Sequence, residues 1–227
     1  MDCVVLTYTA PHRKTYDTLC RLKSLGYNDV LVWAVPMHYK KKFVPLYEHR
    51  PPAYAEIETK QQCAAFGYAY IESASGYEGL SGDKNVPVLM CGAGILQESL
   101  IKSRRIINSH PGYIPFARGL DALKWEIYEE LPIGVTTHFI GDEVDAGEII
   151  ERKKIPIYKN DTFHALAQRV YETEVSMLVD SLRFEGKSNF FAGAGDNKLH
   201  RRMPKEIESH LMDRFVHLRD VCGVERI

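Results

Sequence analysis

The chain has 227 residues, of which 45% are hydrophobic and 26% charged, with a formal net charge of -1. Such a length and composition suit one α/β domain with a real core, alone or with a small appendage. The balanced charge argues against nucleic acid as main partner, and no apolar run approaches the roughly 18 residues of a membrane helix.

The N-terminal stretch MDCVVLTYTAPHRK lacks the charged-then-apolar order of a signal peptide. The run 3–8 predicts a first buried strand. Tyr16, Leu19, Leu22 and Leu25 then recur at helical spacing, and Gly26 is a plausible stop. Residues 29–35 predict the next strand, so the chain opens as a βαβ unit with a parallel sheet. Residues 36–55 carry Pro36, Pro45, Pro51 and Pro52 and read as irregular. A helix is expected over 56–66, a strand over 86–90, a short helix over 95–102 and a strand over 105–109. Beyond lie a helix over 120–130, strands over 133–140 and 148–157, and a long helix to about 182 with Asp161 as N-cap. Residues 184–203 read as Gly-rich and irregular, and 204–218 as a final peripheral helix. The expected organisation is a main domain over 1–183 and a small C-terminal extension over 184–227. Five scattered cysteines, Cys3, Cys20, Cys63, Cys91 and Cys222, include no C-x-x-C pair. They indicate a reduced, cytoplasmic protein without a structural metal; Cys3, Cys20 and Cys91 read as small buried hydrophobes.

The chemistry concentrates in NSHPGYIPFARGLDALKW, 108–125. Alternate residues of a strand share a face, so Asn108 and His110 point the same way, and Pro111 stops the strand there. Open α/β sheets keep their sites where strands run out into loops. Asp145 lies in a second loop, followed by Ala146-Gly147. Singly, each has a plain reading: a turn-capping Asn, a structural His, an Asx-turn Asp.

Taken together, Asn108-Ser-His110-Pro111, Pro115-x-x-x-Gly119, Gly134-x-Thr136-x-His138 and Asp145-Ala-Gly147 resemble the signature of the N10-formyltetrahydrofolate-dependent formyltransferases. The resemblance covers most of 86–183. It implies a Rossmann-like formyltransferase fold, with a central, mostly parallel, twisted sheet flanked by helices. It implies catalytic roles for Asn108, His110 and Asp145. An amine attacks the formyl carbon; Asn108 and a protonated His110 donate to the developing oxyanion; Asp145 favours the imidazolium and collects the amine's proton through water. No metal is required. The cosubstrate N10-formyltetrahydrofolate would be held by Met90, Gly92, Ala93, Gly94, Ile95 and Leu96 and by Gly141, Asp142, Val144 and Asp145. It would enter between the 90–96 segment and the 141–147 loop. His138 would support Asp145 or the folate, or pack as a core His.

Within that family the sequence is most similar to the sugar N-formyltransferases, through His110-Pro-Gly-Tyr113-Ile-Pro115, Arg118-Gly119, Trp125 and Asp145-Ala-Gly-Glu-Ile-Ile150. That implies formylation of an amino group on a small-molecule amino sugar, nucleotide-activated, for bacterial surface glycans. Tyr113, Phe116, Arg118, Gly119 and Trp125 could line the acceptor site, or shape the loop and pack the helix behind it. His12 and Arg13, Lys40 to Lys42, and His200-Arg201-Arg202 are candidate phosphate contacts, with a solvated surface as the plain alternative. The expected partners exclude nucleic acid and membrane and admit a homodimer. Two rivals stand beside this reading. One is the same chemistry on glycinamide ribonucleotide, although Thr7-Tyr-Thr-Ala-Pro-His-Arg13 departs from the Gly-Ser-Asn-rich phosphate loop those enzymes show. The other is a non-catalytic folate- or glycan-precursor-binding protein.

Overall fold

The computed structural model describes residues 1–37, 43–54, 57–74, 76–77, 79–80, 83–94, 96–141, 144–145, 147–184, 190–191 and 199–225. The backbone divides into two compact units. The first takes residues 1–41, 52–108 and 175–186, the second 42–51, 109–174 and 187–227.

The first unit holds β1 (Cys3–Tyr8), α1 (Arg13–Ser24), β2 (Val30–Val35), α2 (Thr59–Phe66), β3 (Ala69–Glu72), β4 (Val88–Met90), α3 (Glu98–Ser103) and the start of β5 (Ile106–His110). Its strands are parallel, in the order β3-β2-β1-β4-β5. Every residue of β2 is buried, and β1 is buried from Cys3 to Thr7. Parallel strands covered on both faces read as continuous apolar runs, which is why these two stood out in the sequence. Leu19 and Leu22 of α1 are fully buried, and Gly26 ends the helix at φ +85°. Cys3, Cys63 and Cys91 are buried, Cys20 is half-buried and Cys222 is exposed. Burial pushes the Cys3 thiol up to about 12.

The strand β5 carries the chain into the second unit after Asn108. There follow β6 (Arg118–Gly119), α4 (Ala122–Tyr128), β7 (Gly134–Phe139), β8 (Glu148–Lys154), α5 (Phe163–Asp180), β9 (Phe190–Phe191), β10 (Leu199–His200), α6 (Lys205–Glu208) and α7 (Leu211–Cys222). The α5 helix returns to the first unit after Glu174. β7 and β8 pair antiparallel, with a register shift between Thr137 and His138, and β9 pairs antiparallel with β8. The Ser109 and Thr137 hydroxyls meet at 3.0 Å. β10 lies parallel to β6.

Local chemistry revises three expectations. Asp161 does not cap α5: Thr162 Oγ1 accepts the Ala165 N–H at 3.1 Å. Asp161 instead accepts the Tyr158 N–H and pairs with Arg169. The single helix expected over 204–218 is two. The Ser209 hydroxyl donates to the Glu206 carbonyl at 2.8 Å, a local bond that competes with helix propagation. The stretch expected to be irregular contains β9 and β10.

Two ion pairs with buried acids join distant segments of the second unit. Lys124 Nζ meets Glu208, both fully buried, and Glu208 also accepts the Leu46 and Tyr47 N–H groups. Arg50 meets the buried Glu174. No helix of the described residues is long and apolar enough to cross a membrane.

Candidate active site

Pro111 follows β5, and the chain folds back over Gly112. A Cβ at Gly112 would sit 2.6 Å from the Ala117 carbonyl and 2.7 Å from His110 Nε2. Only glycine lets these two meet, which they do at 3.0 Å. A carbonyl can only accept, so Nε2 carries the proton and donates. His110 Nδ1 is then the nitrogen that faces Asp145, 3.6 Å from Oδ2. His138 mirrors this arrangement. Its Nδ1 donates to the Phe139 carbonyl at 2.9 Å, and its Nε2 lies 3.7 Å from Asp145 Oδ1. The Gly119 N–H donates to Asp145 Oδ2 at 2.9 Å.

Asp145 adopts φ +49°, a left-handed conformation that Asp tolerates better than most residues. A Cβ at Gly147 would lie 1.7 Å from the Phe139 carbonyl. The backbone of this loop thus requires the glycine two residues after the aspartate.

Burial pushes the Asp145 carboxyl up, but the His110 charge, His138 and the Gly119 N–H prevail and hold it below the carboxylate range. Burial pushes the His110 imidazole below its ordinary value, outweighing the pull of Asp145 upward. The resemblance implies donation by His110 if it is protonated. The described site instead favours a carboxylate beside a neutral imidazole whose Nδ1 is the position open to a proton.

Asn108 is buried and pairs in register with Met90 within the first unit. The turn after Met90 is fixed by the Leu6 carbonyl, which accepts from Cys91 N at 3.1 Å and Gly92 N at 3.2 Å. Tyr8 OH accepts from Gly94 N at 3.0 Å, and the Tyr8 ring lies where a Gly92 Cβ would go, 2.5 Å away. Beyond Gly94 there is open space. Ala93 is buried; Met90 and Leu96 are half-buried. Gly141 is half-buried and Val144 is 58% exposed. Ile95 and Asp142 lie outside the described residues.

The expected acceptor residues are dispersed. The Tyr113 ring covers Gly134, at the start of β7, and stacks with Phe116 at 6.3 Å. Arg152 lies over it at 5.3 Å and Lys154 at 5.8 Å. His138 is four residues further along the strand, roughly 13 Å at about 3.3 Å per residue. The Arg118 guanidinium donates to the Val144 carbonyl at 3.2 and 2.7 Å. Gly119 serves Asp145. Trp125 is buried, donates from Nε1 to the Arg201 carbonyl at 2.8 Å and stacks on His200. In the first unit His12 bonds Thr15 at 2.9 Å, while Arg13 pairs with Asp17 at 2.8 Å and lies over Tyr54. Lys40 to Lys42 lie outside the described residues.

Several contributors had no side-chain signature in the sequence. The Ala117 carbonyl and the Gly119 N–H are backbone groups. Glu126 was missed as well: it is buried on α4 and accepts the Tyr113 N–H at 2.6 Å, fixing the loop that follows His110. Burial pushes its carboxyl well above the ordinary value. Among the described residues, no three His, Cys, Asp or Glu side chains are grouped to hold a metal.

Residues 85–182 match the family model described as formyl transferase. It is 37% identical over 92 residues to the trifunctional purine biosynthetic protein adenosine-3 of Gallus gallus, which is 38% of this chain and 9% of that protein. It is 29% identical over 137 residues to the phosphoribosylglycinamide formyltransferase of Bacillus subtilis, covering 56% of this chain and 64% of that one. The chain thus spans less than two thirds of these relatives. Among solved structures, it superposes on the formyltransferase PseJ of Anoxybacillus kamchatkensis with a TM-score of 0.56 and 18% identity, covering 95% of this chain and 96% of the other. That enzyme was crystallised with UDP-4,6-dideoxy-4-formamido-L-AltNAc and tetrahydrofolate. The fold is therefore the Rossmann-like one of the formyltransferases, as the sequence led us to expect.

Proposed function

We propose that this protein transfers a formyl group from N10-formyltetrahydrofolate to the amino group of an amino sugar, nucleotide-activated and destined for a surface glycan. The observation that carries the transfer chemistry is the His110–Asp145 pair, with its donors and acceptors fixed by backbone groups at 117 and 119. In the reaction the acceptor nitrogen bonds to the formyl carbon, the bond from that carbon to N10 breaks, and one proton passes from the amine to N10. The Asn108 amide would donate to the formyl oxygen as charge develops there, worth a few kcal/mol of about 3 for a well-placed donor. His110 Nδ1 would hold the proton in transit, with Asp145 stabilising the charged form. The cosubstrate supplies the activated formyl group. Met90, Gly92, Ala93, Gly94 and Leu96, in the first unit, are described residues proposed to bind it.

The sugar acceptor is supported by the near-complete overlap with PseJ and by the motif from His110 to Trp125. Glycinamide ribonucleotide is the second reading, favoured by the Bacillus subtilis relative. A turnover assay separates them: N10-formyltetrahydrofolate is supplied with 3-amino and 4-amino nucleotide sugars or with glycinamide ribonucleotide, and tetrahydrofolate release is followed. Turnover with one amino sugar alone supports the proposal. Turnover with glycinamide ribonucleotide alone replaces it, and release with no acceptor on the panel refutes the sugar assignment.

A further inference from the structure

We infer that the C-terminal tail, Leu199 to Met203, is part of the catalytic apparatus, with His200 as the positioning residue that holds Asp145 in register. The inference rests on the assignment of His110 and Asp145 above.

Residues 117–119 form a short rail. The Ala117 carbonyl accepts from His110, the Arg118 side chain holds the Val144 carbonyl, and the Gly119 N–H holds Asp145. Three successive residues thus set both members of the pair and the residue beside one of them. A two-residue strand cannot hold itself straight, so something must fix the rail's other edge. β10 does so: Leu199 pairs with Arg118 and His200 with Gly119, and the Leu120 N–H donates to the His200 carbonyl at 3.0 Å.

The approach is as close as backbone permits. A Cβ at Gly119 would lie 2.2 Å from the His200 carbonyl oxygen, and Gly119 sits at φ +91°. The glycine that closes the Pro-x-x-x-Gly motif is therefore needed for the tail to dock. The tail is in turn pinned along its length. The buried His200 ring stacks on Trp125 at 5.0 Å and 27°, and its Nε2 meets Glu129 Oε2 at 3.0 Å. Trp125 Nε1 takes the Arg201 carbonyl, and Asp121 Oδ2 accepts the Met203 N–H at 2.9 Å. These contacts converge on the rail and the helix that follows it, residues 117–129. Among the described residues no hydrogen bond or ion pair joins His200 to His110 or Asp145, so its effect passes through Gly119.

The test uses the full chain without substrate. Amide hydrogen exchange at Gly119 and the titration of the His110 imidazole are followed by NMR in the wild type and in His200→Ala. We expect Gly119 exchange to quicken about tenfold, the equivalent of one local hydrogen bond, and the His110 titration to move, while β7 amides keep their protection. Loosening that is merely structural would quicken β7 amides equally. Should His200→Ala lose β7 protection too, Trp125→Phe decides. It keeps the stack on His200 but drops the donation to the Arg201 carbonyl, and it should quicken Gly119 selectively by several-fold. In the turnover assay both variants should lower kcat and leave KM for the formyl donor unchanged. Unaltered Gly119 exchange and an unaltered His110 titration in a folded variant overturn the inference. A wild type that turns over no acceptor sinks the proposed function, while the exchange result still stands or falls by itself.

Discussion

Asp145 illustrates how a single side chain can be pinned from several directions and still leave its neighbour uncharged. Its two oxygens face two histidines whose other nitrogens already donate to carbonyls, so each ring presents its second nitrogen to the carboxylate. Asp145 is what pulls the His110 proton affinity up against burial. Asp145→Asn should therefore push the His110 titration lower still and cost about 10²–10⁴ in kcat, read by NMR and steady-state turnover. Glu126 presents the opposite case. Its folded carboxyl binds a proton more tightly than the unfolded one, so stability is full below about pH 4.3 and is lost as pH rises toward the folded value. Glu126→Gln keeps the acceptor for the Tyr113 N–H and carries no charge. Urea unfolding at pH 5 and pH 8 should show a smaller fall for the variant than for the wild type. In the sequence the proposed trio stood out through its resemblance to the formyltransferase signature, where Asn-x-His-Pro is followed by Asp-x-Gly. Glu126 did not, since one Glu in a helix is ordinarily a solvated charge.

At the level of elements, what could be read was what periodicity writes. β1, β2 and β4 appeared as apolar runs because both their faces are buried. The edge of α5 was misjudged because Asp161 and Thr162 are both good caps and only geometry chooses between them. Thr162→Ala should cost about 1 kcal/mol in denaturant unfolding, as capping losses typically do. β6 and β10 escaped entirely: two residues show no alternation, and their partners are remote in sequence. Gly119 was visible as a glycine, but its close neighbour His200 was not. Trp125 was left between packing and substrate. Its Nε1 bond to the Arg201 carbonyl gives it a definite partner within the protein.

At the scale of the whole molecule, the second unit draws on three stretches of chain, 42–51, 109–174 and 187–227. Lys124–Glu208 and Arg50–Glu174 join them where water does not reach the acids. Removing one partner strands a buried charge. Glu208→Ala should cost about 3–5 kcal/mol in unfolding free energy, whereas Lys124→Met with Glu208→Leu should come close to the wild type. A double variant as unstable as Glu208→Ala would show that the pair's hydrogen bonds to Leu46 and Tyr47 matter more than its charge. The docking of β10 against β6 has a consequence for the order of synthesis. A chain emerging from the ribosome presents Asn108, His110 and Asp145 well before Leu199 and His200. The nascent chain thus carries the three proposed catalytic residues before the strand that pairs with β6 has been made. If His200 positions Asp145 as inferred, a chain released before Leu199 would carry the formyltransferase-like motifs without the strand that fixes Gly119.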